Sequence, residues 1–443
     1  MEHVRPDDLD PIGLARRLIR FDTTNPPGRE GECVAFVDGL LRAAGLETRV
    51  LERTAGRPNL VARLPGRGVA PGLVLHAHVD VVPVDGQPWT REPFAGEVVD
   101  GELWGRGAID MKGPLACMLS AVLRLAAAGT PPAGDVVLAV VADEEAGSAD
   151  GAGFLVREHA GLFAGAAYAV GEDGGAGVAL DGSVRLHPVV VAEKRAVWLR
   201  ATLRGPAGHA SRVTPPESAP RLLNRLLGAF DGGGLGPRRT EAGDRMLTGL
   251  AAAAPEPLAG GLRRFRDDPA DVDALAVLDP VDALFLRSIS QHTVNPTVIR
   301  AGAKTNVVPA EISVDLDGRL LPGLGTADFL AAVRDAVDFP LDLEVLVEGE
   351  PMREPVFGPF YDSVVRVLRE ADPDGVPVPM VTTASTDARL FPRLGITPYG
   401  FLPLLLPPGS RHREMLHVPD ERVPVEALRF GARCYERLLV SYR

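Results

Sequence analysis

The chain is poor in the residues on which several structural classes depend. Its 443 residues include only three cysteines, Cys33, Cys117 and Cys434, with no CxxC pair among them. Disulfide frameworks and thiolate metal sites need more cysteine than this, so we expect reduced thiols and a cytoplasmic protein. No apolar run approaches the roughly 18 residues of a membrane span. The stretch MEHVRPDDLDPIGL also lacks the apolar core of a signal peptide, so we expect neither a membrane span nor a secretion signal.

Lysine is equally scarce, and the 59 acidic residues outnumber the 47 basic ones, which are nearly all arginine. The formal net charge is −12, and lysine occurs only at Lys112, Lys194 and Lys304. Nucleic acids and anionic membranes attract basic surfaces, so this charge argues against both as partners. The chain also contains no Walker loop, no dinucleotide fingerprint and no motif of a serine or cysteine nucleophile. What remains is a globular composition, 46% hydrophobic and 24% charged, at a length that favours two domains.

Strand-like and helical segments alternate in the first part of the chain. The apolar run GLVLHAHVDVVP, residues 72–83, is typical of a strand buried on both faces. Further buried strands are predicted at 135–145 and 166–173, and a helix is predicted at 113–129. This alternation predicts an α/β fold with a largely parallel sheet. In such sheets, functional side chains gather at the carboxyl ends of the strands.

The pattern changes after about residue 193. About four strands and two helices are predicted there, and the strand AVWLRATLRG alternates between buried and exposed positions. This indicates a smaller α/β sandwich inserted into the first domain. The predicted boundaries are 1–193 and 353–443 for the main domain and 194–352 for the insert. Residues 231–290 are rich in Gly, Pro and Ala, and no pattern assigns them to helix or strand.

Polar side chains interrupt the first of these apolar strands. His78 and Asp80 are two positions apart, which would place them on the same side of a strand. An Asp so placed can orient a metal-binding imidazole, although the same pair also occurs around a hydrogen-bonded core histidine. His76 points the same way one pleat deeper, and we assign it no catalytic role.

Acidic residues follow at two further places. Asp110 lies in a Gly-punctuated loop just before the predicted helix, where an ordinary turn carboxylate is the alternative interpretation. The stretch VVADEE ends a buried strand with Asp143, Glu144 and Glu145. Adjacent carboxylates at a strand end repel one another unless a cation lies among them, and a solvated acidic turn is the alternative.

The stretch VGED places Glu172 and Asp173 at another strand end, and His417 lies in a loop before the last helix. Histidine with carboxylates is the donor set that suits Zn²⁺. Because these residues exceed what one tetrahedral ion binds, we interpret them as a two-metal site with a bridging carboxylate. One carboxylate of the Glu144–Glu145 pair is then left to take a proton from water.

At this point the chain resembles the M20 family of zinc amidohydrolases, which includes acetylornithine deacetylase, succinyl-diaminopimelate desuccinylase, aminoacylase-1 and glutamate carboxypeptidase. The resemblance rests on motifs that span nearly the whole chain. In order, they are FDTTNPPG, HAHVDVVP, WGRGAIDMKG, ADEE, VGED, GHAS, TNVVPAEISVDLDGRLLPG, TDAR and LHVPDERV. The resemblance implies a zinc-peptidase-like catalytic domain with a mixed, largely parallel sheet and an inserted α+β lid and dimerisation domain.

The resemblance also implies two Zn²⁺ ions, with Co²⁺ or Mn²⁺ as alternatives. It implies Asp110 as the bridging carboxylate, Asp80 as the acid that orients a histidine ligand, and Glu144 as the general base. The implied metal ligands are His78, Asp110, Glu145, Glu172 and His417. Because EDGG resembles a second form of the family motif, Asp173 remains an alternative to Glu172.

In the inserted domain, the resemblance implies a role for three residues. His209 matches a histidine that helps to hold the oxyanion, often across a dimer, and an ordinary loop histidine is the alternative. Asn306 and Arg319 match positions that grip the substrate. An Arg fork suits a substrate carboxylate, although a lone Arg is more often part of a surface ion pair.

The implied function is hydrolysis of an amide or peptide bond in a small substrate that carries a carboxylate. An N-acyl amino acid or a short peptide is the expected partner, and a homodimer through the lid domain is expected. Two alternatives stay open. One is a catalytically silent relative that serves as a metal-dependent scaffold, and the other is a related hydrolase of carbamates or formyl amides.

Overall fold

The computed structural model describes residues 5–180, 184–351, 355–407, 410 and 412–443. Within these residues, no helix is both long enough and apolar enough to cross a membrane. The chain separates into two compact units. The first unit comprises Met1–Val191, Val356–Met380 and Thr386–Arg443, and the second unit comprises Ala192–Pro355 and Val381–Ser385.

Strands occur throughout the described residues. They are β1 (Glu47–Glu52), β2 (Pro58–Leu64), β3 (Gly72–His78), β4 (Glu97–Val99), β5 (Glu102–Trp104), β6 (Val136–Val141), β7 (Ala166–Gly171), β8 (Val178–Leu180), β9 (Val184–Glu193), β10 (Arg195–Arg204), β11 (Gly208–His209), β12 (Gly234–Pro237), β13 (Gln291–Ala301), β14 (Val307–Val308), β15 (Glu311–Leu320), β16 (Asp342–Glu348), β17 (Gly375–Thr382), β18 (Thr397–Gly400) and β19 (Arg422–Pro424).

The α-helices of the described residues alternate with these strands in the first unit and cluster in the second. They are α1 (Pro11–Ile19), α2 (Gly31–Ala43), α3 (Lys112–Ala127), α4 (Ala152–Glu158), α5 (Ala219–Ala229), α6 (Glu241–Ala253), α7 (Leu258–Asp267), α8 (Pro280–Ile289), α9 (Thr326–Asp335), α10 (Pro359–Ala371) and α11 (Val425–Ser441).

The large sheet of the first unit has the strand order β1-β2-β6-β3-β7-β18-β9-β17. Its centre is parallel, because β6, β3, β7 and β18 all run in the same direction. Antiparallel pairs flank this centre, since β2 pairs antiparallel with β6 and β9 with β18. The predicted fold class, an α/β fold with a mixed sheet, is confirmed.

Helix α3 fixes the chain just after Asp110. It is buried along nearly its whole surface and packs against both α1 and α11. A helix that is apolar all round belongs in the interior of a protein rather than at its surface. The loop that carries Asp110 therefore joins one of the most deeply buried elements of the first unit.

The second unit contains an antiparallel sheet in the order β12-β13-β15-β10-β16. The inward side chains of β10 form one apolar core with α5 and α9, and they alternate with outward-facing Trp198 and Arg200. The strand predicted at 196–205 is thus β10. Residues 231–290, which the sequence left unassigned, form β12, α6, α7 and α8.

The predicted strands of the first unit were too long at their carboxyl ends. The strand predicted at 72–83 ends at His78, and those predicted at 135–145 and 166–173 end at Val141 and Gly171. Apolar residues continue past the ends of β3 and β6, whereas β7 is followed directly by Glu172, and in all three places the chain leaves the ladder near the first polar side chains. The candidate functional residues therefore lie at the strand ends and in the loops that follow them.

Candidate metal and catalytic site

Three neighbouring parallel strands deliver functional side chains to one edge of the large sheet. His78 is the last residue of β3, and Glu172 comes directly after β7. A short 3-10 turn, Glu144–Ala146, follows β6. Because β3 lies between β6 and β7 in parallel register, the three carboxyl ends meet.

Two groups of side chains form at this edge, and Asp110 belongs to both. His78, Asp110 and Glu172 make one group, and Asp110, Glu145 and His417 make the other, with the ligand atoms of each group within 4.8 Å of one another. The Oδ1 atom of Asp110 lies 3.0 Å from Nε2 of His78. Its Oδ2 atom lies 3.1 Å from Nε2 of His417. One carboxylate therefore faces two histidines from opposite groups.

The remaining members of each group lie slightly further away. Oε2 of Glu145 is 3.4 Å from Nε2 of His417, and Oε2 of Glu172 is 3.8 Å from Nε2 of His78. Asp173 belongs to neither group, and its Oδ1 atom accepts a hydrogen bond from the Gly174 amide at 2.7 Å. The geometry therefore groups Glu172, not Asp173, with His78.

Asp80 differs from the sequence expectation in how it contacts His78. Because β3 ends at His78, Asp80 lies beyond the strand, and the two are not neighbours on one strand face. Nδ1 of His78 lies 3.0 Å from the backbone oxygen of Asp80 and 3.5 Å from its Oδ1 atom. A carbonyl oxygen only accepts, so Nδ1 carries a proton, and Nε2 is the ring nitrogen that faces Asp110.

The carboxylate of Asp80 holds the loop after β6. It accepts hydrogen bonds from the backbone amides of Glu144 at 3.2 Å and Glu145 at 3.1 Å. It also accepts one from the side-chain amide of Asn25 at 2.9 Å. Asp80 is fully buried. It therefore fixes both the ring of His78 and the backbone that carries the two glutamates.

The surroundings of these side chains raise the pKa values of His417, His78 and Glu144. Hydrogen bonds to Asp110 and Glu145 raise the pKa of His417 to about 10, although burial opposes this. Burial also opposes the charge on His78, but Asp110 and Asp80 raise its pKa well above the ordinary value. Burial raises the pKa of the Glu144 carboxyl well above its ordinary value. His78 opposes that shift, while the charges of Asp387, Glu145 and Asp110 add to it.

This donor set fits a pair of divalent cations. Burial raises the pKa of Glu172, and the charges of Glu144 and Asp110 raise it further. Carboxylates that crowd one another in this way are stabilised by a cation placed between them. Imidazole nitrogens with carboxylate oxygens are donors that Zn²⁺ accepts. The residues that would hold the ions are those of the two groups that share Asp110.

The backbone around the site is strained. Asp143, Asp173 and His417 all have positive φ angles, of 67°, 67° and 62° respectively. Side chains with a Cβ atom rarely adopt this region, and each such residue costs about 1–3 kcal/mol unless its surroundings impose the conformation. Each of the three is a proposed functional residue or lies next to one. Three of the six non-Gly residues with positive φ among the described residues therefore lie at the site or directly beside it.

Arg57 forms an ion pair with Asp143, the first acidic residue of the ADEE stretch. Nη1 of Arg57 donates to Oδ1 of Asp143 at 2.7 Å, and Nη2 donates to Oε1 of Glu30 at 2.5 Å. Arg57 is nearly buried, and Glu30 is completely buried. Nothing in the sequence near Arg57 or Glu30 marks them as partners of Asp143, so this network was not predicted.

Two residues of the TDAR stretch also lie beside Glu144. Nη1 of Arg389 is 3.9 Å from Oε1 of Glu144, and its Nη2 atom donates to Oγ of Ser148 at 2.8 Å. Asp387 is buried, and burial raises its pKa while the charge of Arg389 lowers it. The TDAR stretch contributed to the family resemblance, but the sequence alone assigned neither residue a role.

His76 has a structural environment. Its ring packs 4.8 Å from the ring of Phe391, and a Cβ atom at Gly171 would lie 2.1 Å from it. Burial lowers its pKa to about 3, and the charge of His78 adds to this. The ring is therefore neutral and fills the space that a glycine on β7 leaves open.

The three residues predicted from the inserted domain lie in the second unit. His209 and Asn306 are neighbours, because β11 pairs with β14. The backbone amide of Ala210 also donates to the backbone oxygen of Asn306 at 3.1 Å. Both side chains are exposed. Arg319 lies on β15, where its fork donates to both oxygens of Asp317 at 2.8 and 3.1 Å. The second unit thus brings His209 and Asn306 together and pairs Arg319 with an acid of its own strand.

Comparisons with known proteins agree across most of the chain. The model of the family described as peptidase family M20/M25/M40 matches residues 74–441. A succinyl-diaminopimelate desuccinylase from Cereibacter sphaeroides is 42% identical over 144 residues, which are 32% of this chain and 37% of that protein. Aminoacylase-1 from Sus scrofa is 27% identical over 447 residues, which are 97% of this chain and 94% of that protein. The chain therefore aligns with little more than a third of the first relative and with nearly all of the second.

A solved structure shares the fold. The M20 family metallo-carboxypeptidase Sso-CP2 from Sulfolobus solfataricus superimposes with a TM-score of 0.67 at 17% sequence identity. The match covers 97% of this chain and 98% of that one. At this identity the likeness concerns the fold alone.

Proposed function

We infer that this chain, which belongs to peptidase family M20/M25/M40, is a metal-dependent hydrolase of amide or peptide bonds. We propose that its substrate is a small N-acyl amino acid or peptide with a free carboxylate. The relatives are named as a desuccinylase and an aminoacylase, and both names describe removal of an acyl group from an amine. This supports an N-acyl amino acid as the first substrate class to test.

One observation carries the proposal. The two oxygens of Asp110 face His78 and His417 at 3.0 and 3.1 Å, and each histidine has a further glutamate close by. An ordinary turn carboxylate has no reason to lie between two histidines. The arrangement supports Asp110 as a carboxylate shared by two metal ions, with His78 and Glu172 on one ion and Glu145 and His417 on the other.

The proposed ions are Zn²⁺, with Co²⁺ or Mn²⁺ as alternatives that the same donors accept. When bound, such ions would supply polarisation of a carbonyl and a lowered pKa of bound water. The role of the protein is to hold the metal-binding side chains in place. Asp80 contributes by holding Nδ1 of His78 in its protonated form, which leaves Nε2 to bind.

Glu144 is the proposed general base. It belongs to neither donor group, and its backbone amide is held by Asp80 at 3.2 Å. Burial raises the pKa of its carboxyl well above the ordinary value, with His78 opposing and neighbouring acids adding to the shift. A base with a raised pKa can accept a proton from water and return it to the leaving amine near neutral pH.

Three residues of the second unit are proposed to contact the substrate. Nδ1 of His209 accepts a hydrogen bond from the Ser211 amide at 3.2 Å. The neutral ring therefore carries its proton on Nε2, where it can donate to a developing oxyanion. Arg319 and Asn306 are proposed to hold the substrate carboxylate and the adjoining amide, since an Arg fork binds carboxylates through two parallel hydrogen bonds.

The decisive experiment replaces the proposed base. Glu144→Gln keeps the size of the side chain and removes its ability to accept a proton, so turnover should fall by about 10²- to 10⁴-fold. The metal content, measured by atomic emission, should stay at the wild-type value. Glu47→Gln, at an exposed position of the first unit, is the matched control and should keep full activity.

Full activity in Glu144→Gln would refute the assignment of the base, and loss of metal would make Glu144 a ligand instead. The substrate class needs a panel of N-acetyl and N-succinyl amino acids, dipeptides, carbamates and formyl amides. A wild-type protein that binds metal but turns over none of these would be the silent scaffold.

The proposal also includes a cellular compartment and an oligomeric state. The acidic charge and the three buried, unpaired cysteines support a cytoplasmic protein. A homodimer through the second unit remains a prediction from the resemblance. Sedimentation of the purified protein tests it, and a monomer at working concentrations would contradict it.

A further inference from the structure

Glu421 lies a few residues after His417, and it is completely buried although it faces neither donor group. Its Oε1 atom accepts hydrogen bonds from the backbone amides of Ile109 at 2.7 Å and Asp110 at 3.2 Å. Its Oε2 atom accepts one from the Gly107 amide at 3.1 Å. A single carboxylate thus gathers three backbone N–H groups of the loop that ends in Asp110.

Arg106 completes the environment of this carboxylate. The guanidinium is buried, and its Nη1 atom donates to Oε2 of Glu421 at 2.8 Å. Its Nη2 atom donates to Oε1 of Gln87 at 2.8 Å, and Nε2 of Gln87 donates to the backbone oxygen of His417 at 3.3 Å. The chain from His417 to Glu421 and the side chains of Arg106 and Gln87 therefore form a closed ring of contacts.

We propose that Glu421 is a positioning residue that holds the Asp110 loop and the His417 loop in the geometry required for metal binding, with Arg106 and Gln87 closing the ring. The inference rests on the proposed metal site. Neither Glu421 nor Arg106 is proposed to touch metal or substrate. Their role is to set the distance between the shared carboxylate of Asp110 and the imidazole of His417.

Stability alone does not account for this arrangement. A buried ion pair contributes little net stability, since the cost of removing both charges from water largely cancels their attraction. Apolar side chains of the same volume would fill the space equally well. What they could not do is accept three backbone N–H groups at once. Outer hydrogen-bond partners of this kind typically change metal affinity by about 10- to 100-fold.

The test measures metal binding directly. Glu421→Gln places an amide NH₂ among donors and removes the charge that Arg106 requires, so the loop should lose its fixed position. Calorimetric titration of the metal-free protein with Zn²⁺ should show two ions in the wild type. In Glu421→Gln, the ion that uses His417 should bind about 10- to 100-fold more weakly. The visible absorption of the Co²⁺-loaded variant should also change, because the geometry around the metal changes.

A matched control lies one residue further along the chain. Arg422 donates to Oε2 of Glu102 at 2.8 Å in a more exposed ion pair of β19 and β5. Glu102→Gln breaks that pair without touching the Asp110 loop. It should leave metal affinity and the Co²⁺ spectrum at wild-type values.

Two milder variants keep the test valid if Glu421→Gln does not fold. Arg106→Lys keeps a positive charge beside Glu421 but cannot reach Gln87 at the same time. Gln87→Ala removes the contact with the His417 backbone at a half-buried position. Each should weaken the same ion by several-fold. Wild-type affinities and spectra in the folded variants, with only a lower unfolding temperature, would overturn the inference. A wild-type protein that binds no pair of ions would instead refute the proposed function.

Discussion

In the first unit, the candidate functional side chains contact one another and share buried partners. In the second unit, the side chains of His209 and Arg319 form hydrogen bonds with residues two positions away in the sequence. Asp110 reaches both His78 and His417, and Asp80 holds the Glu144 backbone. In the second unit, by contrast, the fork of Arg319 pairs with Asp317 two residues away.

The difference concerns how much of each role is built into the fold. The donor groups of the first unit are fixed before any ligand arrives, because strand ends, buried carboxylates and Arg57 hold them. Preorganisation of this kind lowers the cost of binding and catalysis. His209 and Asn306 in the second unit are exposed and less constrained by neighbouring side chains, which suits their proposed role of contacting a substrate.

The largest effect should come from the shared carboxylate. Asp110→Asn leaves one oxygen and no charge, so we expect at most one tightly bound ion. Turnover should fall by about 10³-fold or more, since metal polarisation supplies several kcal/mol of transition-state stabilisation. Metal titration and steady-state kinetics check this, with exposed Asp100→Asn as the control. Two tightly bound ions in Asp110→Asn would remove the basis for treating the first unit as a shared-carboxylate site.

The next effect should come from Asp80, which supports the site from a buried position. Asp80→Asn turns an amide NH₂ toward donors and weakens its hold on both glutamates, which should cost about 1–3 kcal/mol of folding stability. Metal affinity should fall by about 10- to 100-fold. Denaturant unfolding and metal competition measure the two quantities. If neither quantity changes, the buried partners of the first unit are not what preorganises it.

A smaller and different effect is expected in the second unit. Arg319→Lys keeps the charge but loses the fork, so KM should rise about tenfold with little change in kcat, in line with the loss of one charged hydrogen bond. Asp317→Asn should lower KM by up to about threefold, because it removes a half-exposed competitor for the same fork. Steady-state kinetics on a carboxylate substrate decides both. Equal KM values in the wild type and both variants would mean that Arg319 only forms an ion pair within β15 and does not contact the substrate.

The smallest effect concerns the pH dependence of stability. Burial lowers the pKa of His292 in the second unit to about 4, with the charges of Arg238 and Lys194 adding to it, and its Nδ1 atom accepts from the Leu321 amide at 3.2 Å. The unfolded chain, with a pKa of about 6.5, therefore binds this proton first. The stabilising contribution is complete above about pH 6.5 and is lost as the pH falls toward 4.

His292→Asn keeps an acceptor for the Leu321 amide but has no proton to gain. We expect its unfolding free energy to depend less on pH than that of the wild type between about pH 6.5 and 4. Denaturant unfolding at several pH values measures this slope. An unchanged slope would show that other groups control the acid sensitivity of the molecule.

Much of the large sheet could be predicted from the sequence, because its strands are continuous apolar runs with polar residues at their ends. The same signal led to His78, Glu145 and Glu172, since parallel strand ends converge. The strand limits were too long, because hydrophobicity continues past the last ladder residue. Asp80 was expected on the same strand face as His78, which is wrong because β3 ends at His78, although Asp80 does lie against His78.

The supporting residues could not be predicted in the same way. Arg57 meets Asp143, and Arg106 meets Glu421, across long stretches of sequence, so no local spacing marks either pair. The helices α6–α8 were missed because Gly and Ala dilute the helical period. Their start signals were nevertheless present, since Thr240 and Asp279 cap α6 and α8 through their side chains.

The order of the segments along the chain also determines how the protein forms. Segments of the first unit lie on both sides of the second unit in the sequence. The second unit is nearly continuous, so most of it is synthesised before the last segments of the first unit. Strand β18, which pairs with β7, and the ligand His417 are synthesised only afterwards. Each new chain therefore carries the complete donor group of His78, Asp110 and Glu172 before its sheet is finished, and the group that includes His417 is complete only once translation has passed that residue.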